Sequence, residues 1–144
     1  MLAATHAITG AIIAKVTPDP ILGYALALAS HPLLDYLPHW DLRTRHSRRP
    51  LQHTVVISLV DAGIGFFLGF LIAGNSVPPL RLLATMFVAQ LPDWLEAPYV
   101  VFGWKFPPFS WIKSLQHTIH KKLPFPDGIY TQLILIFLLL LLSK

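Results

Sequence analysis

Three apolar stretches, at residues 55–73, 80–95 and 129–142, hold almost no charge and leave this chain few folds to choose from. A bilayer core about 30 Å thick is crossed by roughly 20 apolar residues of helix, and these stretches approach or reach that length. With 54% hydrophobic and only 12% charged residues, the 144-residue chain also lies outside the soluble globular range. The expectation is therefore an all-α, polytopic membrane bundle forming a single domain over residues 1–144. No Lys or Arg precedes the first apolar run, and Pro18-Asp19-Pro20 stands where a small-residue cleavage site would be. The amino end thus reads as a membrane helix and not as a secretory signal.

Turn residues divide the chain further. Residues 3–16 and 21–37 form a helical hairpin about the turn Thr17-Pro18-Asp19-Pro20, with Pro32 expected to kink the second arm. A basic loop over 38–49 leads to Pro50, which suits a first helical turn, and to a span over 51–73. Gly74-Asn75-Ser76 and Pro78-Pro79 turn the chain back into a span over 80–95 that closes at Pro92-Asp93-Trp94. Ser110 is expected to cap an interfacial helix over 111–122, and Asp127 to cap the last span. The count is about five membrane-embedded helices plus one interfacial helix.

The net charge of +4 is explained by topology and does not require nucleic acid. Arg43, Arg45, Arg48 and Arg49 share one loop and Lys105, Lys113, Lys121 and Lys122 lie in or beside another, against Lys15, Arg81 and Lys144 on the opposite side. Under the positive-inside rule both basic loops face the cytoplasm of an inner membrane, and Trp40, Trp94, Trp104 and Trp111 fall on that same side as interfacial anchors.

The chain has seven histidines and no cysteine, so any metal must be held by His, Asp or Glu. All seven histidines fall where helices meet that basic face. The string Leu-Gln-His-Thr occurs at 51–54 and at 115–118, each copy following an aspartate that closes an apolar helix, Asp35 and Asp93. A diverged duplication over about 31–74 and 89–142, with a half-site in each part, accounts for this pattern. His31 and Asp35, four apart, share a helical face and can present an imidazole and a carboxylate to one ion. The pair alone reads equally well as a histidine satisfied by a carboxylate. His6 and His53 add nitrogen donors from two further segments, a set suited to zinc first, then to manganese or iron. Asp93 and His117 repeat the arrangement with His120 nearby, and Gln90 takes the place of His31; the spacing is compatible with one ion or two.

The remaining polar residues divide between structure and chemistry. His39 and His46 read as solvated or lipid-facing side chains. Arg49, with Arg48, is placed to hold a phosphate bidentately, and Glu96 beside Asp93 to act as a general base. Asp61, roughly 12 Å below His53 on helix geometry, is an ionisable group at depth that Thr85 is positioned to satisfy. No Gly-rich phosphate loop, nucleophile elbow or HExxH motif occurs.

In Thr5-His6 with Gly10, in the string Ser30-His31-Pro32-Leu33-Leu34-Asp35-Tyr36-Leu37-Pro38-His39-Trp40-Asp41, and in Gln52-His53-Thr54 after a basic loop, the chain resembles the YdjM-like family. These are LexA-regulated inner-membrane proteins inferred to be membrane-bound metal-dependent hydrolases. The resemblance covers about the first 60 residues and implies an all-helical membrane protein with His and Asp ligands. It departs where the family has a histidine-arginine pair before Thr-His-Ser, since here Arg48-Arg49-Pro50 stands before Leu51-Gln52-His53-Thr54 and the earlier histidine is absent or replaced by His46.

Three function classes follow. A metal-dependent hydrolase would use His6, His31, Asp35, His53, Asp93 and His117 as ligands, and a lipid or lipid-linked ester as substrate. A divalent-cation or proton transporter would need ionisable residues at mid-depth, of which only Asp61 qualifies. A membrane scaffold would carry the ion for structure alone.

Overall fold

A computed structural model describes residues 1–42 and 50–144, and Arg43, Arg45, His46, Arg48 and Arg49 of the basic loop therefore lie outside the described residues. Among the described residues the chain is all-helical, in the order α1 (Ala3–Val16), α2 (Pro20–Tyr36), α3 (Leu51–Ala73), α4 (Pro79–Ala89), α5 (Leu91–Val101), α6 (Phe109–Ile119) and α7 (Asp127–Leu142). The first two helices form the expected hairpin. Asp19 starts α2 by accepting from the Leu22 amide at 2.7 Å, and Pro20 needs no donor in that first turn.

The axis of the bundle is α1, which packs against α2, α3, α4 and α7. Its buried residues are mostly small: Ala4, Ala7, Gly10, Ala11 and Ala14 let neighbouring backbones approach. A Cβ placed on Gly65 of α3 would lie 2.5 Å from the Ala4 Cα, and one on Gly10 would lie 2.9 Å from the Thr85 carbonyl oxygen of α4. Gly65 and Gly69, four apart, thus form the small-residue seam by which helices pack where burial of large side chains supplies no driving force.

A helix enclosed in this way cannot turn its terminal amides and carbonyls to water, so side chains of its neighbours must meet them. Asp61 of α3 accepts from the amides of Ala3 at 2.7 Å and Ala4 at 3.4 Å, and Gln132 of α7 accepts from Leu2 at 3.0 Å. At the other end Arg81 donates to the carbonyls of Ala14, at 2.8 Å, and Thr17. Asp61 is therefore a capping group, not the partner of Thr85, whose hydroxyl donates to the Arg81 carbonyl. Replacing Asp61 by alanine should lower the unfolding free energy by about 1–2 kcal/mol, the usual value of a helix cap, while Asp61→Asn should keep most of it. Thermal denaturation of the two variants in detergent checks this, and equal loss in both would argue against capping.

The outside of the bundle is apolar. Leu22, Leu26 and Leu33 of α2, Val60, Ile64, Phe67 and Leu71 of α3, Leu80 of α4 and Leu133, Phe137 and Leu141 of α7 are all exposed, whereas Thr5, Thr9, His6 and Gln132 are buried. Among the described residues one helix, α3, is long and apolar enough to cross a membrane: its 23 residues span about 35 Å, and only 17% of its apolar window is buried. The helices α1, α4 and α7 are apolar but shorter.

Several boundaries differ from expectation, among them the end of α6, at Ile119 and not at 122, and the extension of the fourth span to Val101. The span over 80–95 is two helices, broken at Gln90; Pro92 has no amide to offer the Val88 carbonyl, and the Gln90 amide turns to Phe87 instead. Ser110 lies inside α6, which follows Pro108 without a side-chain cap. Asp127 is the first residue of α7 and not its cap, where its carboxylate still faces the positive end of the helix dipole.

Candidate metal centre

Five segments deliver their polar groups to one end of α1. His6 lies in the second turn of α1, and His31 and Asp35 in the last turns of α2. His39 follows in extended chain that pairs with the segment after α6: its amide donates to the Lys121 carbonyl at 3.0 Å and its carbonyl accepts from Leu123 at 2.8 Å. That pairing sets His39 beside His120, the residue closing α6, with ring centroids 5.1 Å apart. Asp93 comes from the first turn of α5. Gln132 locks the assembly, accepting from Leu2 and the Thr5 hydroxyl and donating to the carbonyls of Trp40 and Gly128, so all four of its hydrogen-bonding positions are filled.

Asp35, fully buried, is the hub. His6 Nε2 lies 3.2 Å from its Oδ1, His31 Nε2 and His120 Nε2 each 3.3 Å from its Oδ2, and His39 Nε2 4.0 Å from its Oδ1. The rings of His6 and His31 stack with centroids 3.9 Å apart, and Asp93 stands 3.7 Å from His31 Nε2. Two sets of donor atoms each converge within 4.8 Å: His6, His31 and Asp93, and Asp35, His39 and His120.

The outer nitrogens fix what the inner ones present. Nδ1 of His31 lies 2.8 Å from the Ala89 carbonyl oxygen, that of His39 2.7 Å from Leu37 and that of His120 2.6 Å from Gln116. A carbonyl only accepts, so Nδ1 carries the proton and a neutral ring turns the Nε2 lone pair inward, the usual arrangement behind a metal-binding histidine. For His39, burial first and the Met1 ammonium next hold the imidazole below its ordinary pKa, which favours that neutral form. Lone pairs on nitrogen then face lone pairs on the Asp35 carboxylate. His31 Nε2, His39 Nε2 and Asp35 Oδ2 are all buried without a hydrogen-bond partner, a costly arrangement unless a cation lies between them.

The distances are those of long hydrogen bonds and also fit donors shared by an ion. Charge-assisted N–H to carboxylate bonds close to about 2.7–2.9 Å. Donor atoms about 2.0–2.1 Å from a tetrahedral zinc stand about 3.3–3.4 Å from one another, and the separations here are 3.2, 3.3 and 3.3 Å. A positive group is already drawn to the place: the Met1 amine contacts Asp35 Oδ1 and lies 3.5 Å from His120 Nε2. The buried His and Asp sets have the composition and spacing to hold a metal ion.

Of the residues singled out from sequence, His6, His31, Asp35 and Asp93 are brought together, and His53 and His117 are not; both are exposed and lie in neither set. On α6 it is Gln116, one residue earlier, that faces inward and donates to Asp93 at 3.0 Å, with His120 one turn further along. The repeated string therefore does not build two like half-sites. Glu96 is buried and ion-paired with Lys113 at 2.5 Å, and Arg49 lies outside the described residues. His39, expected in solvent or lipid, is fully buried in the centre.

A cavity of about 220 Å³ lies between the first half of α3 and α5, walled by Val55, Leu59, Trp94 and Val101 and reaching Asp93 and His120. No family model, curated protein or solved structure matches this chain.

Proposed function

We infer that the chain is a multi-pass inner-membrane protein and a metal-dependent hydrolase, acting on a phosphoester or other ester of a lipid or lipid-linked molecule. The observation that carries the reading is the set of imidazole nitrogens gathered about the buried Asp35, of which His31 Nε2 and His39 Nε2 have no hydrogen-bond partner. The apolar exterior over a polar, small-residue interior supports the membrane, and the two clusters of Arg and Lys support a centre on the cytoplasmic side. Zinc is the ion best suited to four imidazoles and two carboxylates, with manganese and iron next. When bound, such an ion would polarise a phosphoryl or acyl oxygen and acidify a water beside it.

The protein's own groups then have defined tasks. Asp93, half-buried and reaching the cavity, is held by Gln116 at the border between centre and substrate space. The apolar cavity walls suit an acyl or prenyl chain, and the polar end of the same cavity suits the scissile group. Glu96 lines the cavity too, ion-paired with Lys113, and is the carboxylate placed to accept a proton there. The transport reading weakens, because Asp61 is engaged in capping α1.

Elemental analysis and ester hydrolysis by detergent-purified protein test this together. Wild type should carry stoichiometric transition metal and cleave a chromogenic phosphoester or a vesicle phospholipid until chelated. His53→Ala and His117→Ala should keep the metal, both side chains being exposed, whereas His31→Ala should carry less of it. Protein without metal would end the reading; bound metal without hydrolysis of any ester would leave a structural ion.

A further inference from the structure

The geometry points to a dinuclear centre, in which the His6, His31 and Asp93 set and the Asp35, His39 and His120 set each hold one divalent transition ion and the Asp35 carboxylate bridges them. This rests on the metal reading above and adds the number of ions, the bridging group and the charge the site offers a substrate. Asp35 belongs to the second set by convergence, yet its Oδ1 is 3.2 Å from His6 and its Oδ2 3.3 Å from His31, both of the first set. Each Asp35 oxygen also faces a histidine of the second set, Oδ1 at 4.0 Å from His39 and Oδ2 at 3.3 Å from His120, so the carboxylate stands between the two sets where a shared ligand would be.

Buried atoms without partners occur in both sets, His31 Nε2 in one and His39 Nε2 and Asp35 Oδ2 in the other, so an ion in either set alone would leave a lone pair of the other unmet. The stacked His6 and His31 rings give the first ion two nitrogens from the α1 and α2 helices, while the edge-on His39 and His120 rings give the second ion two from the paired segments after α2 and α6. Carboxylate-bridged pairs of this kind sit about 3.5–4 Å apart and clamp the attacking and leaving oxygens of a displacement at phosphorus. Charge separates one ion from two. One divalent ion would be neutralised by Asp35 and Asp93, whereas two outweigh those carboxylates by two charges and favour a phosphoester anion over a neutral carboxylic ester.

The test is metal content of the full-length protein in detergent, read with the electron paramagnetic resonance of the manganese-loaded form. Wild type should hold about two ions per chain, with an exchange-coupled manganese spectrum. His39→Gln should fall to about one ion and an isolated-manganese spectrum, His31→Gln likewise from the other side, and Asp35→Ala to none. Size-exclusion profiles identify any variant that fails to fold, and His39→Gln and His31→Gln stand in for each other. One ion in wild type, or an uncoupled spectrum at two, overturns the bridged pair and leaves a mononuclear hydrolase standing. No ion at all overturns both, and two coupled ions without phosphoester hydrolysis support the pair while ending the catalytic reading.

Discussion

Asp35→Asn protein is expected to bind no transition metal and to lose hydrolysis by about a thousandfold or more, the scale on which removal of a shared ligand acts when the ion supplies the chemistry. The substitution keeps the size of the side chain and one carbonyl oxygen, so the hairpin of α1 and α2 has little reason to rearrange. What it removes is the negative charge toward which four imidazoles and the Met1 amine are turned. An amide nitrogen in place of one oxygen would also direct hydrogens at a histidine lone pair, where an ion would otherwise sit. Stability offers a second readout. An ion that binds only the folded protein stabilises it by about 4 kcal/mol at a thousand times its dissociation constant, so wild type should melt higher with metal than after chelation. Asp35→Asn should melt at one temperature in both conditions, near that of chelated wild type. A variant that keeps wild-type metal content would remove Asp35 from the centre and the bridging scheme with it.

The parts of this architecture visible in the sequence are those governed by local rules. Pro20 behind Asp19 and the Pro50 and Gly74 flanks bound α2 and α3 where turn and cap chemistry placed them. His31 and Asp35 were paired by helix spacing alone, and His6 and Asp93 joined them because helix ends return to one face. The parts that were hidden depend on partners far along the chain. His39 stands beside Asp41 and an arginine loop, a context that reads as solvated, and it is buried only because its backbone pairs with Lys121 and Leu123. The repeated Leu-Gln-His-Thr drew attention to His117, but on a helix that residue stands about 100° from Gln116, whereas His120 is only about 40° away. Once Gln116 faces Asp93, His120 follows it inward and His117 turns out. Asp61 reads from sequence as an ionisable group at depth with Thr85 for a partner, because nothing in α3 shows that α1 begins at that level and needs a cap.

Gly65→Ala should be among the more disruptive single-methyl changes in the bundle, lowering stability by about 2–3 kcal/mol and weakening metal binding at least tenfold. The added Cβ would lie 2.5 Å from the Ala4 Cα and 2.9 Å from the Ala7 Cβ. A flexible side chain could swing aside; the backbone of α1 cannot, because Asp61 and Gln132 hold its amino end and Arg81 its carboxyl end. The helix must therefore shift as a body, and it carries His6 two residues beyond the point of collision. A displacement of a few tenths of an ångström is felt at once by an ion that demands donor distances near 2.0–2.1 Å. Gly63, two residues earlier on the same helix, provides the control: a Cβ there meets nothing within 4 Å. Gly63→Ala should be neutral, or more stable by up to about 1 kcal/mol through helix propensity alone. Thermal melts and metal titrations of the two variants side by side separate the packing effect from the general cost of changing a glycine. If the two behave alike, α1 does not rest on Gly65, and the link between the small-residue seam and the metal centre falls.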